Sequence, residues 1–163
     1  MAATRWLDDE EARAWRVFVQ MRHELDSVLE GQLTRDAGLS AADYALLVPL
    51  SEAPSGQLRA RDLARAVGWE KSRLSHQVRR MEQRRLIDRR QCPSDGRGSF
   101  VRLTDEGRRA VENAAPSHVE MVRAMFFDQL SRNDVRALAR MSERILARLS
   151  TERGPEPSCE EDS

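Results

Sequence analysis

Leu74, Val78 and Met81 fall at steps of four and three, so the spacing predicts a helix from about Lys71 to Arg85 with these three on its buried side. The opposite side then carries Ser72, Arg73, His76, Arg79, Arg80 and Gln83, with Lys71 and Ser75 at its borders. Hydroxyl and imidazole groups both donate and accept hydrogen bonds, and the guanidinium and ammonium groups around them neutralise anions at fixed points. No carboxylate lies on this face, although Glu70 and Glu82 are close. The chemistry it offers is recognition of a polyanion, with small polar groups to read and cations to hold.

The surrounding charge agrees. From Arg59 to Arg109 there are 15 Lys and Arg against 7 Asp and Glu, a balance of about +8, while the 163 residues together sum to +0. The remainder therefore carries about −8, and a neutral pI of 6.9 conceals a basic middle between acidic ends. With 40% apolar residues, few aromatics and a mean hydropathy of −0.65, a helix-rich, soluble chain of one domain, or of a small domain with an extension, is expected. No run approaches the roughly 18 to 20 apolar residues that span a bilayer, and the opening MAATRWLDDEEARAW has no basic-then-apolar signal, so a cytoplasmic protein is expected, with no membrane partner. Cys92 and Cys159 are far apart without a CxxC pairing, and His23, His76 and His118 are scattered; no metal site and no cofactor are expected.

The elements that must position this face can be read in order. Leu7, Trp15, Phe18, Leu25, Val28, Leu29 and Leu33 make one stripe of a long first helix, with Asp8, Asp9, Glu10 and Glu11 in its first turns and a stop near Gly38. A 25-residue helix of this kind needs a partner to cover its stripe. Ser40 with Asp43 three residues on reads as a capping box opening a second helix to about Glu52, which Pro49 should bend or shorten. After the turn Ala53-Pro54-Ser55-Gly56, a short helix holding Leu63, Ala64 and Val67 ends at Gly68, and the polar helix follows. Arg89-Arg90, a Pro93-Ser94-Asp95-Gly96-Arg97-Gly98 turn and Ser99 to Leu103 predict a two-stranded hairpin with Ile87, Val101 and Leu103 inward. Thr104 starts another long helix, to about Leu130, that Pro116 should kink or split. Ser131 with Asp134 opens the last, to Leu149, with Val135, Leu138, Met141, Ile145 and Leu149 near a heptad spacing. The tail from 151 to 163 is acidic and Pro-containing, and is expected to be disordered.

Helix, tight turn, helix, basic hairpin is the order of a winged helix-turn-helix, a mainly α fold with a small β-hairpin wing. In that arrangement the second helix enters a major groove about 12 Å wide. Ser72, Arg73, Ser75 and His76 stand at its start to read bases, while Lys71, Arg79, Arg80 and Arg84 suit phosphates. Arg97 at the hairpin tip is the natural probe of a narrow minor groove, and Asp95 suits a structural partner of Arg97 or of the turn.

At these residues the chain also resembles the MarR-type transcriptional regulators, over roughly Leu7 to Leu149. The resemblance is strongest in DLARAVGWEKSRLSHQVRRMEQRRLIDRRQCPSDGRGSFVRLTDEG. Leu63-Ala64 and Gly68 match the family's first helix and turn, Asp95-Gly96-Arg97 its wing, and Leu103-Thr104-Asp105-Glu106-Gly107 its Leu-Thr, two residues, Gly. The chain departs from the pattern at Arg85, where such proteins usually carry Gly before Leu-Ile or Leu-Val. It departs again at Trp69-Glu70, where smaller and hydroxyl-bearing residues are common. Near a groove, the Glu70 carboxylate would repel phosphate or accept from a cytosine amine.

The resemblance implies a homodimer whose first and last helices interlock, with two wings straddling a palindromic operator on double-stranded DNA. It divides the chain into a dimerisation region at 1–38 and 108–150, a DNA-binding domain at 39–107 and the tail at 151–163. Proteins of this kind often bind small aromatic or phenolic anions between the dimer helices and the winged domain. Trp15, Phe18, Arg22, His23 and Tyr44 are the candidates for such an aromatic-acid ligand, with ordinary packing as the competing account. Cys92 has two readings, a redox sensor in the wing or a small half-buried hairpin residue. No Gly-rich phosphate loop, GxSxG, HExxH or Cys/His/Asp set is present, so no enzyme is expected. The reading that follows is a sequence-specific DNA-binding regulator, with repression as the expected output. A winged-helix protein-interaction module without DNA and a redox-responsive regulator acting through Cys92 are the alternatives.

Overall fold

The computed structural model describes residues 4–92 and 95–152, by backbone alone at 91–92, 95–98 and 152. The chain divides into two compact units, 1–121 and 122–163. Of the terminal tail, 153–163 lie outside the described residues, so the expectation of disorder there is not addressed by the structure.

In the first unit, α1 (Asp9–Ala37) opens on a reciprocal cap: Asp8 Oδ1 accepts from Glu11 N–H at 2.8 Å and Glu11 Oε2 from Asp8 N–H at 3.0 Å. It closes on Gly38, whose φ of +62° is the left-handed turn that the stop signal implied. α2 (Ala41–Glu52) begins with the expected Ser40–Asp43 box and continues unbroken past Pro49 to Glu52, so the proline does not shorten it. Proline removes only one donor from this helix, and Leu46, Leu47 and Leu50, all fully buried, hold both sides of the site in the core.

α3 (Ala60–Val67) ends at Gly68, φ +68°, and two residues later α4 (Lys71–Gln83) begins. The hairpin is β2 (Ile87–Cys92) with β3 (Asp95–Leu103), and a third strand, β1 (Gln57–Arg59), pairs on the other edge of β3 to give the antiparallel order β1-β3-β2. That strand corrects the two-stranded expectation; three residues are too few to show alternation in sequence. Leu58 lies opposite Val101 and Ile87 opposite Leu103, which turns Val101, Leu103 and Ile87 into a core with Leu63, Leu74, Val78 and Met81.

α5 (Asp105–Met125) is one helix through Pro116, which lies on its exposed side. It stops five residues earlier than expected, and a 3₁₀ turn follows at Phe127–Gln129. In the second unit, α6 (Arg132–Glu152) is capped by Ser131 and Asp134 as the spacing foretold. Hydrogen bonds from Ser131 hold the Asp134 carboxyl below its ordinary pKa. No described helix is long and apolar enough to cross a membrane.

Large apolar side chains stay exposed on both terminal helices: Trp15, Val17, Phe18, Met21 and Val28 on α1, and Met141, Ile145, Leu146 and Leu149 on α6. Arg85, between α4 and β2, has φ +59°, the one positive value at a residue other than glycine among the described residues. An L side chain there costs about 1–2 kcal/mol, of which a glycine returns about 0.5–1 kcal/mol through its greater unfolded-state freedom. Arg85→Gly is therefore expected to stabilise the fold by about 0.5–1 kcal/mol, read as a higher denaturation midpoint at unchanged m-value.

Candidate nucleic-acid interface

Three buried side chains turn one face of α4 toward the core. Leu74, Val78 and Met81 are 3% exposed or less, and Lys71, Ser72, Arg73, Ser75, His76, Arg79 and Arg80 all stand exposed on the rest of the helix. The seven residues chosen for the spacing of their types thus share one continuous solvent-facing surface. Among the described residues no carboxylate pairs with Lys71, Arg79 or Arg80. Arg73 lies over the Trp69 ring, its guanidinium carbon 4.2 Å from the centroid, so the indole at the turn holds that cation at the helix start. Glu70 is the N-cap residue but makes no capping hydrogen bond, and its carboxylate is exposed beside this surface.

The hairpin is fastened to the same helix. Arg89 donates from Nη2 to the Ser75 carbonyl at 3.0 Å, and its Nε lies 3.2 Å from Glu82 Oε2, which satisfies the nearest acid on α4. Across the strands Arg102 grips Asp88 through Nε and Nη2, and this hydrogen bonding holds the Asp88 carboxyl below its usual range. Arg59 covers the Phe100 ring at 5.4 Å. The side chains of Arg97, Asp95 and Cys92 lie outside those described, so the minor-groove and redox expectations rest on sequence alone.

Arg84, which by type suits phosphate, already has protein partners although its side chain stays 44% exposed. Its Nη1 donates to Asp43 at 2.6 Å and its Nη2 to the Gly38 carbonyl at 2.7 Å. Gln77, not singled out by type or spacing, is 8% exposed and donates to the same Asp43 at 2.7 Å.

The five ligand candidates do not line one cavity. Trp15 and His23 border a shallow hollow on α1, Phe18 leans on Trp15 with ring centroids 5.9 Å apart, and Arg22 is exposed on the same helix. Tyr44 lies elsewhere, in a cavity of about 410 Å³ with Leu29, Leu33, Trp69, Arg73 and His118. There the Tyr44 and His118 rings are 4.5 Å apart. Burial raises the Tyr44 pKa and lowers that of His118, which keeps both uncharged near neutrality. His118 Nδ1 is 3.1 Å from Gln32 Oε1, while Gln32 Nε2 donates to Asp36 and Ser117; the amide's orientation makes Nδ1 the donor and leaves Nε2 to accept. The sequence gives no hint of this pairing, since His118 reads as a solvated residue on a polar helix. Among the described residues no three of His, Cys, Asp and Glu form a group able to hold a metal ion.

Comparison with known proteins supplies the family. The MarR family model matches residues 37–98, from the end of α1 to the hairpin turn. AbsC from Streptomyces coelicolor, a MarR family transcriptional regulator, is 40% identical with a TM-score of 0.86, over 91% of this chain and 99% of that one. Sco3205 from the same organism, solved in complex with DNA, is 40% identical with a TM-score of 0.85, over 96% of this chain and 94% of its own. The HTH-type transcriptional regulator YdgJ of Bacillus subtilis is 27% identical over 88 residues, 54% of this chain and about half of that protein's length. Identity at this level across nearly the whole of two solved structures, on the same winged-helix frame, means that the chain belongs to the MarR family of DNA-binding transcriptional regulators.

Proposed function

We propose that the chain acts as a homodimer that reads a palindromic operator in duplex DNA and represses transcription there. The observation that carries the reading is the α4 surface, where Lys71, Arg73, Arg79 and Arg80 stand around Ser72, Ser75 and His76 over a fully buried Leu74–Val78–Met81 seam. Cations on such a surface supply affinity through phosphates, and the short polar groups at the helix start supply base discrimination. Arg97 extends the contact into a minor groove. The apolar stripes of α1 and α6 are covered by a second copy of the chain, which sets the two reading helices one DNA turn, about 34–36 Å, apart.

The test is the salt dependence of binding to a duplex selected from a random library. Each phosphate neutralised contributes about −0.9 to the slope of log K against log salt. Arg79→Ala with Arg80→Ala is expected to weaken selected and scrambled duplexes alike and to make the slope shallower by about 1.8. A wild-type protein with no salt slope and no preferred duplex would instead fit a winged-helix module for protein partners.

A second element of the reading is release by a small aromatic acid, favoured by the cavity that holds Tyr44, His118 and the Trp69–Arg73 stack. Arg73 borders the cavity and also belongs to the reading surface, so an anion drawing its guanidinium inward removes it from DNA. Loss of DNA on adding such an acid is the behaviour of a ligand-released repressor.

A further inference from the structure

Asp43 is the only charged residue among the described ones that is buried in the core, at 2% exposure, and both of its carboxylate oxygens accept hydrogen bonds. Oδ2 accepts from the Ser40 N–H at 2.9 Å as the cap of α2 and from Arg84 Nη1 at 2.6 Å; Oδ1 accepts from Gln77 Nε2 at 2.7 Å. Arg84 then reaches past it to the carbonyl of Gly38, the C-cap of α1, at 2.7 Å. One carboxylate and one guanidinium therefore tie together the end of α1, the start of α2, and α4 with its C-cap. Gln77 lies on α4, and Arg84, seven residues on, is its C-cap residue.

We infer that Asp43, Gln77 and Arg84 form a latch that sets the rotation of α4, making Arg84 a positioning residue for DNA reading instead of a DNA contact. The inference rests on the DNA-binding function proposed above. Apolar side chains such as Leu74, Val78 and Met81 fill space but tolerate small rotations, whereas a buried carboxylate left with one partner missing is costly and directional. With Gln77 held inward, its neighbours Ser75, His76, Arg79 and Arg80 are held outward. Because the latch also grips the C-cap carbonyl of α1, it is the point at which a shift of that helix is transmitted to the reading surface.

The experiment measures the full chain and its Arg84→Met, Arg84→Lys and Asp43→Asn variants against two duplexes, one selected from a random library by the wild-type protein and one scrambled from it. For Arg84→Met the ratio of the two affinities is expected to fall roughly tenfold, comparable with a mismatched base pair, while the salt slope stays unchanged. Asp43→Asn behaves likewise, and Arg84→Lys, which keeps one donor, falls between. A slope shallower by about 0.9 with both duplexes weakened equally would make Arg84 a phosphate contact and overturn the latch, as would no change in either quantity. Amide exchange without DNA separates this from failure of the DNA reading itself. Protection in Arg84→Met should drop along 74–83 and remain along β3; uniform loss, or none, overturns the proposal whether or not the wild-type protein selects a duplex.

Discussion

Gly107→Ala is expected to cost about 3 kcal/mol, the upper end of what overpacking a core does, and for a chain of this length to lower the melting temperature by roughly 6–12 °C. The cause is contact, not backbone conformation. A Cβ on Gly107 would lie 2.0 Å from the Leu86 carbonyl oxygen, 2.9 Å from its carbon and 2.9 Å from Leu103 Cδ1. The first two are backbone, so the obstruction cannot swing aside as a flexible side chain would. Moving α5 away would also stretch the joint that Thr104 makes there: its Oγ1 donates toward the carbonyls of Arg85 and Leu86, at 2.6 and 2.9 Å, and accepts from Gly107 N–H at 3.0 Å. Thermal denaturation followed by circular dichroism measures the effect, and a midpoint within 2 °C of wild type, against the shift expected from overpacking, would show that the helix relaxes freely.

The same joint explains why Leu-Thr-x-x-Gly is a recognisable unit. Leu103 enters the core, Thr104 caps the turn left by Arg85, and Gly107 lets the helix pass against Leu86. Features of this kind are legible in sequence because the cause and the effect are neighbours. The Ser40–Asp43 and Ser131–Asp134 boxes, the Gly38 and Gly68 stops and the two faces of α4 were all decided by residues within a turn or two of each other. Interactions between distant segments were not legible. Asp43 and Arg84 are 41 residues apart, and by type alone Arg84 belongs with the phosphate-binding arginines. The Tyr44–His118 pair and the Gln32 network that orients it span α1, α2 and α5. β1 exists because β3 offers it an edge, not because Gln57–Arg59 has a pattern. The prolines at 49 and 116 do not break their helices.

Replacing Ile145 and Leu149 of α6 by Arg together is expected to convert the protein to an 18.6 kDa monomer at micromolar concentration and to weaken binding to the selected duplex by about 10²–10⁴-fold. In the single chain Ile145 is 60% and Leu149 51% exposed, four residues apart and so on one face, with Met141 and Leu146 adjoining. Burying a large aliphatic side chain fully is worth about 1.5–3 kcal/mol, so four of them about half exposed leave several kcal/mol that the proposed second copy would realise. Two arginines at the centre of that surface must instead be desolvated without a partner. The α4 cations are untouched, so on the proposed dimeric reading each monomer still meets one half-site, and the loss is that of linking the two. Sedimentation equilibrium measures the assembly state and fluorescence anisotropy the affinity, with helical ellipticity reporting that the variant is folded. A variant that stays dimeric would place the interface elsewhere. One that becomes monomeric yet binds the selected duplex as tightly as wild type would mean that a single α4 and its wing suffice to read the operator.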